Sequence, residues 1–302
     1  MDVNFELYKV FYYVAKTLSF SEASNELYIS QSAVSQSIKL LEEKLHCRLF
    51  FRHTKQVKLT QEGEILFKHV EQAFNFIKTG ERSITEIHSL QHGEVRIGAT
   101  DTICKHYLLP YFQKFNELYP QIKIHVTSRT SPGCIELLRK GSVDLIVINT
   151  PDKGVPKNMA VNKVKTLQDV FIAGSRFKHL KNQQLELKEL AQYPLLMLEK
   201  NTTTREFFDT LIKKNGVQIT PEIELDSVDL LIELAKIGLG IAFVIRDYVE
   251  KELANEEFFV VRIKEEIPPR GLGILTQNNI PLPLAAKKFI ELLETKKNTN
   301  SQ

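Results

Sequence analysis

Cysteine is scarce in this chain. There are three, Cys47, Cys104 and Cys134, an odd number set far apart. That excludes a disulfide-stapled secreted fold and suits a reducing compartment, the cytoplasm. Long apolar runs are also missing. None approaches the roughly 20 residues needed to span a bilayer, so no membrane partner is expected. The N-terminal MDVNFELYK has neither a charged n-region nor an apolar h-region, so no secretory signal is expected. Charge of one sign is absent at the scale of the whole chain. Forty Lys and Arg against 37 Asp and Glu leave +3, which excludes a non-specific polycation. Signatures of catalysis are lacking too: no HExxH, no CxxC pair, no GxSxG and no GxxxxGK(S/T). No catalytic residue, metal site or cofactor is therefore expected, and the chain reads as a non-enzyme. KIGLGIA, with Gly238 and Gly240, is short of a dinucleotide fingerprint and fits tight helix-to-strand packing. His88 and His92 are four residues apart, but their place near the end of a helix fits exposed surface better than a metal site. Cys104 and Cys134 fit buried structural thiols better than a redox pair.

What is present begins with 302 residues, 43% of them hydrophobic, enough for two or three cored domains. Leu7, Phe11, Val14 and Leu18 recur at helical spacing and predict one apolar stripe on a helix over about 5–18. Ser21 is the expected N-cap of a second helix that turns Ala23 and Leu27 inward, and Ile29 is expected to pack back. Ser30 or Gln31 then opens a third helix burying Val34, Ile38, Leu41 and Leu45. Its other face shows Ser32, Ser35, Gln36 and Lys39. Short hydroxyls permit close approach to a groove floor, Gln can pair with adenine, and Lys can reach guanine or phosphate. Alone, that face fits a solvated helix surface equally well. HTKQVKLT then reads as two short extended pieces around a polar turn, a wing. From Lys39 to Lys58 six basic and two acidic residues give a local charge of +4, whereas residues 1–90 balance at eleven each. Positive charge concentrated on one face suits phosphate contact, with Arg52, Lys55 and Lys58 as candidates beside Ser30, Gln31, Ser32, Ser35, Gln36 and Lys39.

From Thr60, a cap by residue type, to about residue 90 there is no proline. Leu66, Val70, Ala73, Ile77, Gly80, Ile84 and Ile87 follow alternating spacings of four and three, a heptad seam. A helix packed on its own domain is the simpler alternative. A dimer helix fits an exposed apolar helix of this length better, and makes Leu66, Val70, Ala73, Ile77, Ile84 and Ile87 the dimerisation residues. After His92-Gly93 the pattern changes. Strand-like runs at 94–100, 123–129, 144–150, 169–174, 194–199, 240–245, 258–263 and 271–276 alternate with helical stretches at 103–119, 131–140, 203–214 and 227–237. This predicts α/β sheets with largely parallel strands. Strand-to-helix turns carry short hydrogen-bonding residues: Thr100-Asp101-Thr102, Ser128 to Ser131, Asn149-Thr150, Asn201 to Arg205, and Asp226-Ser227. They are candidates for a ligand held at helix N-termini, or simply N-caps.

The run ASNELYISQSAVSQSIKLLEEKLHCRLFFR followed by LTQEG resembles the N-terminal domain of LysR-type transcriptional regulators, and the likeness continues over nearly the whole chain. Three positions depart from the family pattern: Ser32 where it has Pro, Gln36 where it has Arg, and His46 where it has Gly. The resemblance implies an all-α winged helix-turn-helix domain over 1–59 and a linker and dimerisation helix over 60–91. It implies a two-lobed α/β effector domain of the type 2 periplasmic-binding-protein kind over 92–302. Lobe one is expected over about 93–165 plus 265–302 and lobe two over about 166–264, with the polar tail fraying after Leu293. It implies a cytoplasmic regulator that binds double-stranded DNA at a promoter inverted repeat. It further implies association as a dimer of dimers, contact with RNA polymerase, and a small polar effector between the lobes. The family places effector contacts at Thr100, Thr102, Thr202 and Thr203, with Ser131 and Asn149 as further candidates. Asp101 and Arg205 bring opposite charges, so a carboxylate-bearing metabolite is expected, with a zwitterion within that class. The rival classes are a solute-binding protein and an enzyme on the same two-lobed fold.

Overall fold

A computed structural model of the chain describes residues 3–51, 56–88, 93–150, 156–278 and 280–294, with side chains throughout except at 87 and 88. The chain divides into two compact units, Met1–Arg82 with Lys140–Ser142, and Ser83–Arg139 with Val143–Gln302.

The first unit opens with α1 (Phe5–Thr17), α2 (Phe20–Leu27) and α3 (Gln31–Leu45). Phe11, Val14, Ala23, Val34, Ile38 and Leu41 are buried together, so the apolar stripes read from spacing meet in one core. Turn geometry departs from expectation. Leu18 leaves the stripe: it is 48% exposed and ends α1 in the left-handed region at φ 51°. This early reversal brings Ser19, not Ser21, to the N-cap of α2, where its Oγ accepts from the Glu22 amide. Ile29 stays 41% exposed and does not pack back. Ser30 caps α3 by accepting from the Ala33 amide.

A buried carboxylate closes the end of α3. Glu42 Oε1 accepts from the amides of Leu49 and Phe50, fixing where the chain leaves the helix. β1 (Phe50–Phe51) and β2 (Lys58–Leu59) then pair antiparallel, with Phe50 opposite Leu59. Arg52, His53 and Lys55 lie outside the described residues. Thr60 Oγ1 donates to the Arg48 carbonyl and accepts from the Gly63 amide, starting α4 (Gln61–His88). A Cβ on Gly63 would stand 2.2 Å from the Leu49 carbonyl oxygen, so only glycine lets α4 approach that strand.

The heptad reading of α4 needs correction in its first turns. Val70 and Phe74 are buried in the core of the first unit, and Leu66 and Phe67 pack against it. Val70 is therefore spent in that core, and Leu66, half-buried, packs against it. Ala73, Ile77 and Ile84 are exposed, as is Ile65. The side chain of Ile87 and the pair His88 and His92 lie outside the described residues.

In the second unit the order is β3 (Gly93–Ala99), α5 (Asp101–Ile103), a π-helical turn Cys104–Leu108, α6 (Leu109–Leu118), β4 (Ile122–Ser128), α7 (Ser131–Arg139), β5 (Leu145–Thr150) and β6 (Met159–Leu167). There follow β7 (Asp169–Ala173), β8 (Gln184–Leu185), β9 (Leu195–Leu198), α8 (Thr203–Lys214), β10 (Ile223–Leu225) and α9 (Val228–Lys236). Last come β11 (Ile241–Ile245), α10 (Glu250–Ala254), β12 (Phe259–Ile263), β13 (Arg270–Gln277) and α11 (Leu284–Glu294). The helix expected over 103–119 is broken by the π-turn just before Pro110, whose missing amide hydrogen cannot continue an α-helical ladder.

Two sheets result, ordered β4-β3-β5-β13-β6 and β10-β9-β11-β7-β12-β8. The expectation of largely parallel strands holds only in part, at β4-β3-β5 in the first sheet and at β10-β9-β11 and β12-β8 in the second. β3 pairs β4 and β5 in parallel, whereas β13 pairs β5 and β6 antiparallel. In the second sheet β7 pairs β11 and β12 antiparallel. The chain passes between the sheets twice, at Leu167-Gln168-Asp169 and between Ile263 and Arg270. Each sheet has its own core: Ile97, Phe115, Leu145 and Phe289 in the first, Phe171, Phe208 and Phe243 in the second. Gly240 fits the packing role expected of it, since a Cβ there would stand 2.5 Å from the Pro194 carbonyl oxygen. The tail from residue 295 lies outside the described residues.

Candidate functional sites

The first candidate site is the outer face of α3. Gln31, Ser32, Ser35, Gln36 and Lys39 are all exposed, opposite the buried Val34, Ile38 and Leu41. Ser30 Oγ and Ser32 Oγ are 2.8 Å apart, so these hydroxyls are partly engaged with each other and with the cap. The Lys39 ammonium lies 3.7 Å from Glu43, a solvent-exposed pair worth little and easily exchanged for a phosphate. Lys58 is exposed on β2. His46 takes φ 53° at the C-cap of α3, the backbone shape that favours glycine, so the bulky residue sits at a turn without changing its course. Tyr28, the C-cap of α2, is 95% exposed in the turn before α3, and no spacing rule marks it.

The second candidate site is a cavity of about 370 Å³ in the second unit, formed where the carboxyl ends of strands of both sheets meet helix N-termini. Thr100, Asp101, Thr102, Ser131, Asn149, Thr202 and Thr203 all line it. Part of this set is structural. The hydroxyl of Thr100 accepts from the Ile103 amide, and that of Thr202 accepts from Arg205 N and donates to Glu199. Both are N-caps, the simpler of the two roles open to them. The hydroxyls of Thr102, Ser131 and Thr203 make no hydrogen bond among the described residues, and Ser131 and Thr203 are otherwise buried.

Arg205 does not belong to the cavity. It lies on the buried face of α8, where its guanidinium reaches Asp209 at 2.9 Å, Glu224 at 3.0 Å and the Leu198 carbonyl at 3.0 Å. Two carboxylates and a carbonyl fully commit it. The cation on the wall is Arg129 instead, and Asp226, Ser227 and Asp229 bring more acid than base to the same wall. Asp229 accepts from Lys105 at 2.9 Å and lies 3.5 Å from His106 Nε2, which ties α9 to the π-turn. The Lys105 ammonium holds the Asp229 carboxyl below its ordinary value, while burial lowers the His106 imidazole. His106 stacks on Tyr248 at 4.6 Å, and Tyr248 also lines the cavity. Burial pushes the Tyr248 hydroxyl above the ordinary phenol range. Nothing in the local sequence RDYVE marks this tyrosine, because its place depends on His106 and Asn149, far away in the chain.

Asn149, 9% exposed on β5, lines the cavity and bonds to the Tyr248 hydroxyl, while its buried Oδ1 has no hydrogen-bond partner among the described residues. Behind the wall, Thr204 accepts from Arg270 at 3.2 Å, and Arg270 forms a two-pronged pair with Asp169 at 2.6 Å on each prong. Cys104 and Cys134 have thiols pushed up to about 11 by burial, which makes them poor nucleophiles at neutral pH. Among the described residues no cluster of His, Cys, Asp or Glu could hold a metal ion, and no helix is long and apolar enough to cross a membrane.

Comparison with known proteins gives concordant results. A family model described as "LysR substrate binding domain" matches residues 88–297, and one described as "Bacterial regulatory helix-turn-helix protein, lysR family" matches residues 5–64. The chain is 28% identical over 293 residues to the "Probable RuBisCO transcriptional regulator" of Cyanidioschyzon merolae, covering 94% of this chain and 95% of that protein. It is 26% identical over 286 residues to a Synechocystis protein of the same description, covering 92% and 81%. Among solved structures, full-length OxyR from Pseudomonas aeruginosa superposes with a TM-score of 0.72 at 18% identity, covering 98% of this chain and 96% of that one. ArgP from Mycobacterium tuberculosis gives 0.72 at 18% identity, covering 97% of each. These two likenesses establish the fold.

Proposed function

The chain belongs to the LysR family of helix-turn-helix transcriptional regulators, and on that premise we propose that α3 reads a promoter inverted repeat while the cavity of the second unit binds the controlling effector. Regulators of this family bind DNA and small-molecule effectors and oligomerise. The observation that carries the reading is the exposed polar face of α3, in which Gln36 and Lys39 stand clear of a helix whose other side is fully buried. A helix held so firmly presents its side chains without extra ordering cost, as major-groove recognition requires. Ser32, Ser35 and Gln36 take the base edges. Lys39 and Lys58, with Arg52 and Lys55, take phosphates.

In the same reading, residues 1–59 form the DNA-binding domain, 60–91 the linker and 92–302 the effector domain. Within the last, lobe one takes about 93–165 plus 265–302 and lobe two about 166–264. The exposed Ala73, Ile77 and Ile84 of α4 supply the dimer contact, and further association gives a dimer of dimers. The effector is a small polar metabolite held by Thr102, Ser131, Asn149 and Thr203. It shifts DNA affinity only by its preference for one arrangement of the protein over another. RNA polymerase is the downstream partner, the protein works in the cytoplasm, and it catalyses nothing.

The test is retention of a promoter fragment by the full chain and by Gln36→Ala/Lys39→Ala. Loss of discrimination between operator and random DNA is expected, by a factor of at least about ten from the Gln36 contact. Lys39 should in addition lower the slope of log affinity against log salt by about one. Unchanged sequence preference in the double variant would remove α3 as the reading element.

A further inference from the structure

We infer that the ligand of this cavity carries a positively charged hydrogen-bond donor, so that a simple dicarboxylate or inorganic anion is not its effector. The inference rests on the proposal that the cavity is the effector site, and concerns which chemistry that site accepts.

Three observations lead to it. The wall has the wrong sign for a plain anion. Among the described residues Asp101, Asp226 and Asp229 line the cavity, against Arg129 alone. Asp229 is offset by Lys105, but Asp101 and Asp226 form no ion pair among the described residues, and both are exposed to the cavity and its mouth. The Arg129 guanidinium also donates to its neighbour's carbonyl, Ser128 O, at 2.6 Å. Second, the arginine expected from sequence to bind a ligand carboxylate, Arg205, is spent on Asp209 and Glu224. Third, Asn149 leaves a buried acceptor, Oδ1, without a donor among the described residues. A buried unmet acceptor is unfavourable, and a bound molecule that donates to it relieves that cost. A dicarboxylate or sulfate has no proton to give, and any anion is repelled by Asp101 and Asp226. An ammonium or guanidinium has several, and it is also attracted by Asp101 and Asp226.

The opposite end of the ligand has partners too. The free hydroxyls of Ser131 and Thr203 lie in the first turns of α7 and α8, where unpaired amides favour a carboxylate or another acceptor. A cavity of about 370 Å³ sits at the small end of ligand pockets, which run from roughly 300 to 1,000 Å³. The recognised class is therefore a small dipolar or cationic amine.

Titration calorimetry on the full-length chain with three probes of equal chain length and different charge tests this directly. The probes are 1,6-diaminohexane (dication), 6-aminohexanoate (zwitterion) and adipate (dianion). The expected result is binding of one or both amines and at least tenfold weaker binding of adipate. In Asp226→Asn and in Asp101→Asn, the amine should bind about threefold to fivefold more weakly, the size of one exposed charge contact. Both side chains are exposed and unpaired, so neither variant endangers the fold. Adipate binding as tightly as the amines overturns the inference, as does binding of neither amine, or an amine affinity indifferent to both aspartates. The variant Ser131→Ala/Thr203→Ala separates this from failure of the site itself. If adipate binds and that heat disappears in the double variant, the cavity stands and only the charge inference falls. If the heat of any probe is undiminished there, the cavity assignment falls.

Discussion

Gly63 and His46 are two single residues at which backbone geometry, not side-chain chemistry, decides. At Gly63 a methyl group would collide with the Leu49 carbonyl oxygen at 2.2 Å. Backbone cannot yield as a flexible side chain can. Gly63→Ala should therefore destabilise the first unit by about 1–3 kcal/mol, the usual cost of overpacking. His46 is the reverse case, held at φ 53° with no side-chain bond among the described residues to repay it. His46→Gly should stabilise by about 0.5–1 kcal/mol, because the left-handed penalty exceeds the added chain entropy. Urea midpoints of the two variants decide the matter, and shifts of the same sign would contradict this account. Residue roles are legible in the sequence where they depend on near neighbours. The polar face of α3 and the caps Thr100 and Thr202 are of this kind. Arg205 misleads because its partner Glu224 lies nineteen residues on in another element. Tyr248 is invisible for the same reason.

Elements show the same division between local and distant causes. α3, α7, α8 and α9 are readable to within a residue or two, since helical spacing and capping are local signals. β6 carries no such signal. It is the edge strand of its sheet, exposed along most of its length, and its lysines break the apolar run by which strands are recognised. The antiparallel return of β13 is hidden too, because strand order cannot be read from alternation alone. α4 is the element with most at stake. Its spacing fits one seam, yet burial splits that seam: Val70 serves the core, while Ile77 is 43% and Ile84 63% exposed. Ile77→Glu/Ile84→Glu should weaken self-association at least tenfold and leave the fold intact, since each buried isoleucine is worth about 1.5–3 kcal/mol. Val70→Ala should do the opposite, lowering the melting temperature of the first unit without changing association. Sedimentation equilibrium distinguishes them. Undisturbed association in the double glutamate variant would mean that α4 is not the dimer helix.

At the scale of the whole molecule, the question is how a cavity between two sheets can hold one arrangement firmly enough to be switched. The chain crosses between the sheets at residues 167–169 and 263–270, and the crossings run side by side, with Arg270 opposite Leu167. There Arg270 and Asp169 pair at 2.6 Å on two prongs, with side-chain exposures of 2% and 0%. The guanidinium also lies 4.8 Å above the Phe207 ring and donates to Thr204, a cavity residue, so the pair joins the crossings to the start of α8. Gln168 adds a bond to the Ile267 carbonyl at 2.9 Å. A buried ion pair does not guarantee stability, because desolvation cancels much of its attraction. Its effect shows when one partner is removed. Arg270→Met should cost about 3–5 kcal/mol, since it leaves the Asp169 carboxylate buried and alone. Asp169→Leu should cost a similar amount by stranding the guanidinium. The double variant should cost less than the two together, with a coupling of roughly 1–3 kcal/mol recovered. Denaturant unfolding of the four proteins measures that coupling. Additive losses would mean that the two side chains act separately and do not clamp the crossings. A large coupling would mean that the pair acts as one unit, joining the two crossings to Thr204 at the cavity wall.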